Sequence, residues 1–165
     1  MAYKIRDQVL GMQAIADTST TQQHELGTIV KAYDSTYGIG EFIYLKGVAS
    51  TAVGSLVTYN TNSYTTTLAA VGTNKAQPIA VAMSANVASQ WGWYQISGIA
   101  LMKKTCTVSL AANAPVGVLT IGLVAGTGSG KEIQGALVAA VASATAGRTT
   151  VQVVINRPTM QGRVS

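Results

Sequence analysis

The sequence predicts a mainly β protein with a small β-barrel-like or β-sandwich-like body, one short helix and an extended N-terminal arm. Three observations favour this class. Thr and Val are abundant from Leu26 onward, as is typical of pleated strands. Gly and Asn recur at short intervals between strand-length apolar runs, and such residues mark the turns of an all-β chain. The length of 165 residues fits one domain with room for a short arm.

The first 27 residues differ in composition from the rest of the chain. Residues 1–16 carry scattered apolar side chains with most of the local charge, and residues 17–23 are polar. A helix this short is only marginally stable in isolation. The segment could therefore be either a short helix or an extended segment docked on a partner. We place an N-terminal arm at residues 1–27, a β-rich domain at 28–158 and a C-terminal tail at 159–165.

Nine strand-length runs follow the arm. Between two of them, residues 60–63 contain two Asn residues, and they predict a hairpin turn because Asn tolerates left-handed backbone geometry. The predicted strands cover residues 27–33, 41–47, 56–59, 64–70, 79–83, 93–102, 106–110, 116–124 and 150–155.

The single predicted helix covers residues 136–146. This stretch is rich in Ala, the residue with the highest helix propensity, and Gly147 follows as a stop signal. Its apolar run is continuous, so a strand is the alternative.

Two parts of the β domain resemble one another in sequence, and their matching blocks occur in the same order. Residues 40–49 resemble residues 92–100, and a short block near residue 55 resembles one near residue 118. This pattern predicts an internal duplication spanning about residues 40–100 and 92–156. The alternative is chance similarity in a chain rich in Ala, Gly and Val.

The charges are few and scattered. Charged residues make up 10% of the chain, with eleven basic and six acidic side chains, well below the usual quarter. We therefore expect much of the surface to contact other protein. Lys103 and Lys104 are the one adjacent basic pair, so the basic stripe of a nucleic-acid-binding protein is missing and no such partner is expected. The most apolar stretch, residues 114–125, is too short for a membrane span, and no membrane partner is expected.

Few side chains are available for catalysis. Residues 125–132 resemble a phosphate-binding loop, but Ala125 stands where the motif requires Gly, and Glu132 stands where it requires a hydroxyl. His24 is the one His in the chain and has no convergent partners, and Cys106 has no disulfide partner. We expect no enzyme activity, catalytic residue, cofactor or metal site.

The aromatic residues are concentrated at Trp91, Trp93 and Tyr94, in a chain that is only 6% aromatic. Exposed rings would stack on sugars, whereas buried rings would serve the core or a subunit interface. Because side chains alternate along a strand, Trp93 and Tyr94 should point to opposite faces, with at least one in the core. Packing is therefore the favoured interpretation.

Residues 78–122 and 130–158 carry a resemblance to a known family. They contain a small-residue block, a short turn, an aromatic strand that reaches Gly98, and a return that begins "PVG" at residues 115–117. This arrangement resembles the capsid decoration, or cement, proteins of tailed bacteriophages. The resemblance covers about residues 27–158.

The resemblance implies a β-tulip-type body that assembles as a homotrimer on an expanded capsid, with the N-terminal arm extending over the major capsid protein. The protein would then be a structural component of the virion, located on the outer capsid surface and bridging capsomers. Phe42, Trp91, Trp93 and Tyr94 are expected in the core or between subunits. The arm residues expected to contact the capsid are Tyr3, Ile5, Val9, Leu10, Met12 and Ile15.

The alternative from another class is a carbohydrate- or receptor-binding module of a head fibre or tail adhesin. This interpretation requires Trp91, Trp93 and Tyr94 to be exposed, so their burial discriminates between the two. A hydrolase built on His24 is a third and weaker hypothesis, since no nucleophile motif accompanies it.

Overall fold

The computed structural model describes residues 3–5, 11–48, 50–72, 75–105, 107–143 and 149–162. Within these ranges the chain forms strands and no helix, which confirms the mainly β class. The strands are β1 (Lys4–Ile5), β2 (Thr18–Ser19), β3 (Ile29–Asp34), β4 (Gly38–Lys46), β5 (Leu56–Tyr59), β6 (Thr66–Leu68), β7 (Ile79–Ala82), β8 (Trp91–Lys103), β9 (Pro115–Thr120), β10 (Leu123–Gly126), β11 (Glu132–Val138) and β12 (Thr150–Met160).

These strands belong to one large antiparallel sheet. Its main path runs β1-β3-β4-β8-β12-β11-β9-β10, and a branch of β7, β5 and β6 leaves it at β8. In the described residues β1 and β10 stand at opposite ends of this path and do not pair, so the sheet is not closed. The long strand β8 is the centre of the fold, because β4, β12, β7 and β2 all pair with it.

The pairing pattern occurs twice along the chain. After β4, strand β5 pairs with both β6 and β7, and β7 returns to β8. After β8, strand β9 pairs with both β10 and β11, and β11 returns to β12. This is the pattern expected of the proposed duplication over residues 40–100 and 92–156. The duplication itself stays a prediction, since pairing alone does not establish a common origin.

Strand β5, at the centre of the branch with β6 and β7, buries both of its faces. Leu56 packs in the large cluster that contains Met102 and Ile155. Its neighbour Val57 packs instead with Leu45. Successive residues of a strand point to opposite faces, so β5 lies between two apolar clusters, and this accounts for its continuous run of buried residues.

The predicted helix over residues 136–146 is wrong where the structure describes it. Ala136 and Val138 are buried and Leu137 between them is exposed, which is the alternation of a strand. Leu137 and Val138 pair with β12, and this pairing outweighs the small helix preference of Ala because a short isolated helix is marginal. Residues 139–143 are not helical either, and residues 144–147 lie outside the described part of the chain.

Other strand boundaries differ from the predicted ones where turns interrupt apolar runs. The predicted strand at 116–124 is two strands, separated by a turn in which Gly122 has φ +69°. The predicted strand at 106–110 is reduced to one bridge between Leu110 and Ala142 in its described part, and Cys106 lies outside that part. Strand β12 continues to Met160, so the predicted tail starts later than residue 159.

The hairpin predicted at residues 60–63 is confirmed. It joins β5 to β6, which pair antiparallel. The Asn60 side-chain oxygen accepts hydrogen bonds from the backbone N–H groups of Asn62 (2.8 Å) and Ser63 (3.0 Å). This local ring of bonds is the reason that Asn favours such turns.

Candidate interaction surface

The described part of the N-terminal arm lies on the body instead of extending from it. Strand β1 pairs with β3, and β2 pairs with β8. Tyr3 and Ile15 are buried in a cluster with Phe42, and Ile5 and Met12 pack against the same cluster. The prediction of an extended arm is therefore wrong for these residues, because strand pairing and apolar burial hold them on the protein's own core. Val9 and Leu10, also expected at the capsid, lie outside the described residues.

Gln13 holds this N-terminal segment on the body by hydrogen bonds from both its backbone and its side chain. Its N–H donates to Nε2 of His24 (3.1 Å), and its carbonyl accepts from Nε1 of Trp93 (2.9 Å). The side-chain Oε1 accepts from the Tyr44 hydroxyl (3.0 Å), and Nε2 donates to the Asp17 carbonyl (2.8 Å). Sequence reasoning missed Gln13, because a lone amide in a polar segment belongs to no motif.

His24 serves to hold this segment. Its ring centroid lies 5.0 Å from that of Tyr44 and 5.4 Å from that of Trp93. Nε2 accepts the Gln13 N–H, so this ring nitrogen carries no proton in the hydrogen bond. These contacts give His24 a structural role, and they do not assemble the base and orienting carboxylate of a hydrolase.

We expect His24→Ala to raise the hydrogen-exchange rate of the Gln13 backbone amide about two- to twelvefold at neutral pH, because one hydrogen bond is worth about 0.5–1.5 kcal/mol. Amide exchange followed by NMR measures this rate directly. Thr20→Ala, at an exposed position in the same segment, is the control and should leave the rate unchanged. Equal rates in the wild type and His24→Ala would show that His24 does not hold the segment.

The aromatic residues singled out from the sequence are mostly buried. Phe42, Trp93 and Tyr94 are 0% exposed. Trp93 packs with Phe42 in one cluster and Tyr94 packs in another, on opposite faces as strand alternation requires. Trp91 is half-buried, with the Lys46 ammonium 5.7 Å from its ring centroid. Trp93 and Tyr94 thus offer no exposed ring for sugar stacking, which removes the main support of the adhesin interpretation.

Tyr3 couples the docked N-terminus to the central strand. Its hydroxyl donates to the Ile99 carbonyl (3.1 Å) and accepts from Nε2 of Gln95 (3.5 Å). Burial raises the pKa of Tyr3 to about 12, against a smaller opposing contribution from the Gln95 bond. The folded state therefore favours the neutral phenol, so its contribution to stability is complete below pH 10 and is lost as the pH rises towards 12.

We expect the wild type to lose about 2 kcal/mol more stability than Tyr3→Phe between pH 10 and pH 12, since one pKa unit corresponds to about 1.4 kcal/mol. Urea unfolding at several pH values measures the difference. Tyr44, Tyr59 and Tyr94 also have raised pKa values because they are buried, and comparing the two proteins cancels their contribution. Parallel pH profiles would contradict the assignment to Tyr3.

The glycine-rich loop does not have the context of a phosphate site. Strand β10 ends at Gly126, and Glu132 begins β11 opposite Gly117. A phosphate-binding loop instead leads into a helix whose N-terminus faces the phosphate. These residues form a connection between strands, as the mismatches in the sequence indicated.

An exposed apolar row crosses one face of the sheet. Leu137 lies opposite Val154 in the β11–β12 pair, and Val154 lies opposite Ile99 in the β12–β8 pair. Tyr33 lies opposite Ile39 in the β3–β4 pair. Directly opposed residues in antiparallel strands share a face. Ile99 is half-buried, and the exposed fractions of the others are 44% for Tyr33, 55% for Ile39, 40% for Leu137 and 38% for Val154. We call these five residues the apolar row.

Strands β4 and β8 join the two halves of the row. Strand β4 pairs with β8 as far as Glu41 and Ser97. Ile39 and Ile99 each lie two residues beyond this pair, an even spacing that keeps them on the same face as Glu41 and Ser97. The close approach at Gly98 agrees, because a Cβ on this residue would lie 2.6 Å from the Ile39 carbonyl oxygen. The row therefore spans five neighbouring strands, which is about 19 Å at the usual strand spacing.

The surroundings of the apolar row are basic. Lys4 lies opposite the β3 end of the row, and Lys31 lies two residues from that end in β3, so both point to the same face. Lys103 is four residues from the row in β8, an even spacing that keeps it on this face. Glu41, beside the row, is paired with Arg157 (Nη2–Oε2 3.2 Å). The face thus carries an apolar centre with an excess of positive charge around it.

Comparison with known protein families gives no match, and no curated protein is significantly similar to the chain. Within the described residues, no three His, Cys, Asp or Glu side chains are grouped as a metal site would require. The same ranges contain no helix of the length and apolar character needed to cross a membrane.

Proposed function

We propose that this protein is a structural virion protein of a tailed bacteriophage, which binds the outer surface of the expanded capsid and stabilises it by bridging capsomers. The observation that carries the proposal is the exposed apolar row on a face of paired strands, taken together with the sequence resemblance over residues 27–158. A surface of this kind is suited to protein association. We include the homotrimer and the major capsid protein as the proposed assembly and partner, and we propose no enzyme activity.

The stabilisation in this proposal is mechanical. A bound copy that spans a seam between capsomers adds buried interface on both sides of the seam. Opening the shell then requires that interface to break, so binding to the intact shell alone shifts the equilibrium towards it. If the docking surface exists only on the expanded lattice, attachment follows capsid expansion without any further signal.

Gold labelling with an antibody to this protein, applied to phage particles of the source and viewed by electron microscopy, tests the location. Label spread over the head supports the proposal. Label confined to the tail or fibres would favour the adhesin, and unlabelled particles would contradict a virion role. Particles treated with antibody that has been pre-absorbed with the purified protein are the control.

A matched pair of shells tests the mechanism. We expect the purified protein to sediment with expanded shells that lack it and not with unexpanded shells. Expanded shells carrying the protein should also release their contents at a higher temperature than bare ones. Equal binding to both kinds of shell would contradict attachment after expansion.

A further inference from the structure

We propose that the apolar row and its flanking lysines form the docking face of this protein, and that the partner is a protein surface with an apolar centre and an acidic rim. The inference rests on the proposed function, under which that surface belongs to the shell built by the major capsid protein. Under this proposal one face of the sheet, and not the N-terminal arm, makes the main capsid contact. The described apolar side chains expected at the capsid lie in this chain's own core.

The apolar row extends across several strands of the sheet. Single exposed apolar residues are common on protein surfaces and need no explanation. Here, by contrast, four exposed residues and the half-buried Ile99 share one face of five neighbouring strands. Strand pairing fixes their spacing before binding, so little conformational entropy is lost on docking.

The hollow beside the row extends the same face. Leu101 and Gln152 lie opposite each other, one register step of two residues from the Ile99–Val154 pair. Together with Val141, which is 67% exposed, they line a shallow cavity of about 170 Å³. A partner with a small protruding side chain would place it here while covering the row.

The lysines around the apolar row distinguish between possible partners of this face. A second copy docking through the same face would bring the basic rims of the two copies, with Lys4, Lys31 and Lys103 in each, close together, because a two-fold interface places the same patch of both subunits in contact. Like charges brought together across an interface are unfavourable. A partner with an acidic rim gains attraction instead, and the basic rim would also accelerate its association.

Nucleic acid fits this face less well. A phosphate backbone would be attracted to the lysines, but the centre of the face is aliphatic apart from Tyr33 and offers few rings for base stacking. Binding of nucleic acid depends mainly on phosphate neutralisation, to which Ile39 and Val154 contribute nothing. Substitution of these two residues therefore separates the two classes of partner.

The test uses two matched double variants and expanded shells from the same source that lack the protein. Ile39→Asp with Val154→Asp alters the row at positions that are 55% and 38% exposed, and Ile121→Asp with Val87→Asp makes the same chemical change elsewhere, at positions that are 59% and 41% exposed. We expect the row variant to bind the shells at least about tenfold more weakly, and the control variant to stay within about twofold of the wild type. Thermal unfolding of both variants verifies that they are folded.

Charge reversal at Lys4 tests the acidic rim of the partner. Lys4→Glu should weaken shell binding and flatten its dependence on salt concentration, because exposed charges are screened by salt. Lys75→Glu, exposed and outside the named face, is its control and should bind like the wild type. If Lys4→Glu and Lys75→Glu bind alike at every salt concentration, the acidic rim of the partner is excluded.

The outcomes separate this inference from the proposed function. A wild type that does not bind the shells overturns both. A wild type and row variant that bind equally overturn the docking face and leave the proposed function intact. A row variant that is smaller than the wild type in analytical ultracentrifugation overturns the inference by showing that the face joins copies of this chain. Tighter wild-type binding to short random-sequence duplex DNA than to shells also overturns it.

Discussion

Trp93→Ala is expected to destabilise the protein by about 3–5 kcal/mol, the usual cost of removing a large buried aromatic side chain. Trp93 is 0% exposed, and its ring centroid lies 5.0 Å from that of Tyr44. Its Nε1 donates to the Gln13 carbonyl, so the substitution removes core packing and also one attachment of the N-terminal segment. Urea unfolding measures the loss.

Trp91→Ala is the matched control for this substitution. Trp91 lies two residues earlier in β8 but is only half-buried, so its removal leaves a smaller cavity and should cost less than half as much as Trp93→Ala. Equal costs for the two variants would contradict the assignment of Trp93 to the core. The backbone amide hydrogen of Gln13 should exchange faster in Trp93→Ala than in the wild type. In Trp91→Ala its exchange rate should stay close to that of the wild type.

The second large effect is expected at Gly98, where β8 passes close to the backbone of β4 at Ile39 and Gly40. Gly98 has φ +97°, and a Cβ there would lie 2.6 Å from the Ile39 carbonyl oxygen. Gly98→Ala therefore combines an unfavourable backbone conformation with a steric clash against backbone. We expect a loss of about 3 kcal/mol, about 1 from conformation and the rest from the clash.

Gly38→Ala separates the two contributions. Gly38 has φ +75°, but a Cβ at this position would have no atom within 4 Å. This variant carries the conformational cost alone and should lose about 1 kcal/mol. Thermal or urea unfolding of both variants gives the difference, and equal losses would show that the strands separate at Gly98 without cost.

The docked N-terminal segment changes how attachment to a capsid would work. An extended arm would become ordered on binding and would lose conformational entropy at that step. The segment held by Gln13 and His24 is already ordered in the free protein, so it contributes to the body and not to a flexible tether. A face of paired strands is then the better surface for a partner, because its geometry is fixed in advance.

The sequence alone determined those features that depend on neighbouring residues. Alternation in β3 follows directly from the order of its side chains, with Val30 and Ala32 buried and Lys31 exposed. The hairpin at residues 60–63 was predicted from its two Asn residues, but the residue with left-handed backbone geometry is Tyr64 (φ +51°), and Asn60 contributes through its side-chain oxygen. The placement of Trp93 and Tyr94 on opposite faces followed from the period of two residues in a strand, which required only one of them to be buried.

Only the tertiary structure decided the features that depend on pairing between distant parts of the chain. Residues 136–138 have local helix preference but become a strand, because β12 and β9 offer them partners on both sides. Gln13 acquires its role from His24 and Trp93, which meet it only after folding. The apolar row depends in the same way on residues from Tyr33 to Val154. Their alignment is fixed by strand register, which is set by long-range pairing and not by local sequence.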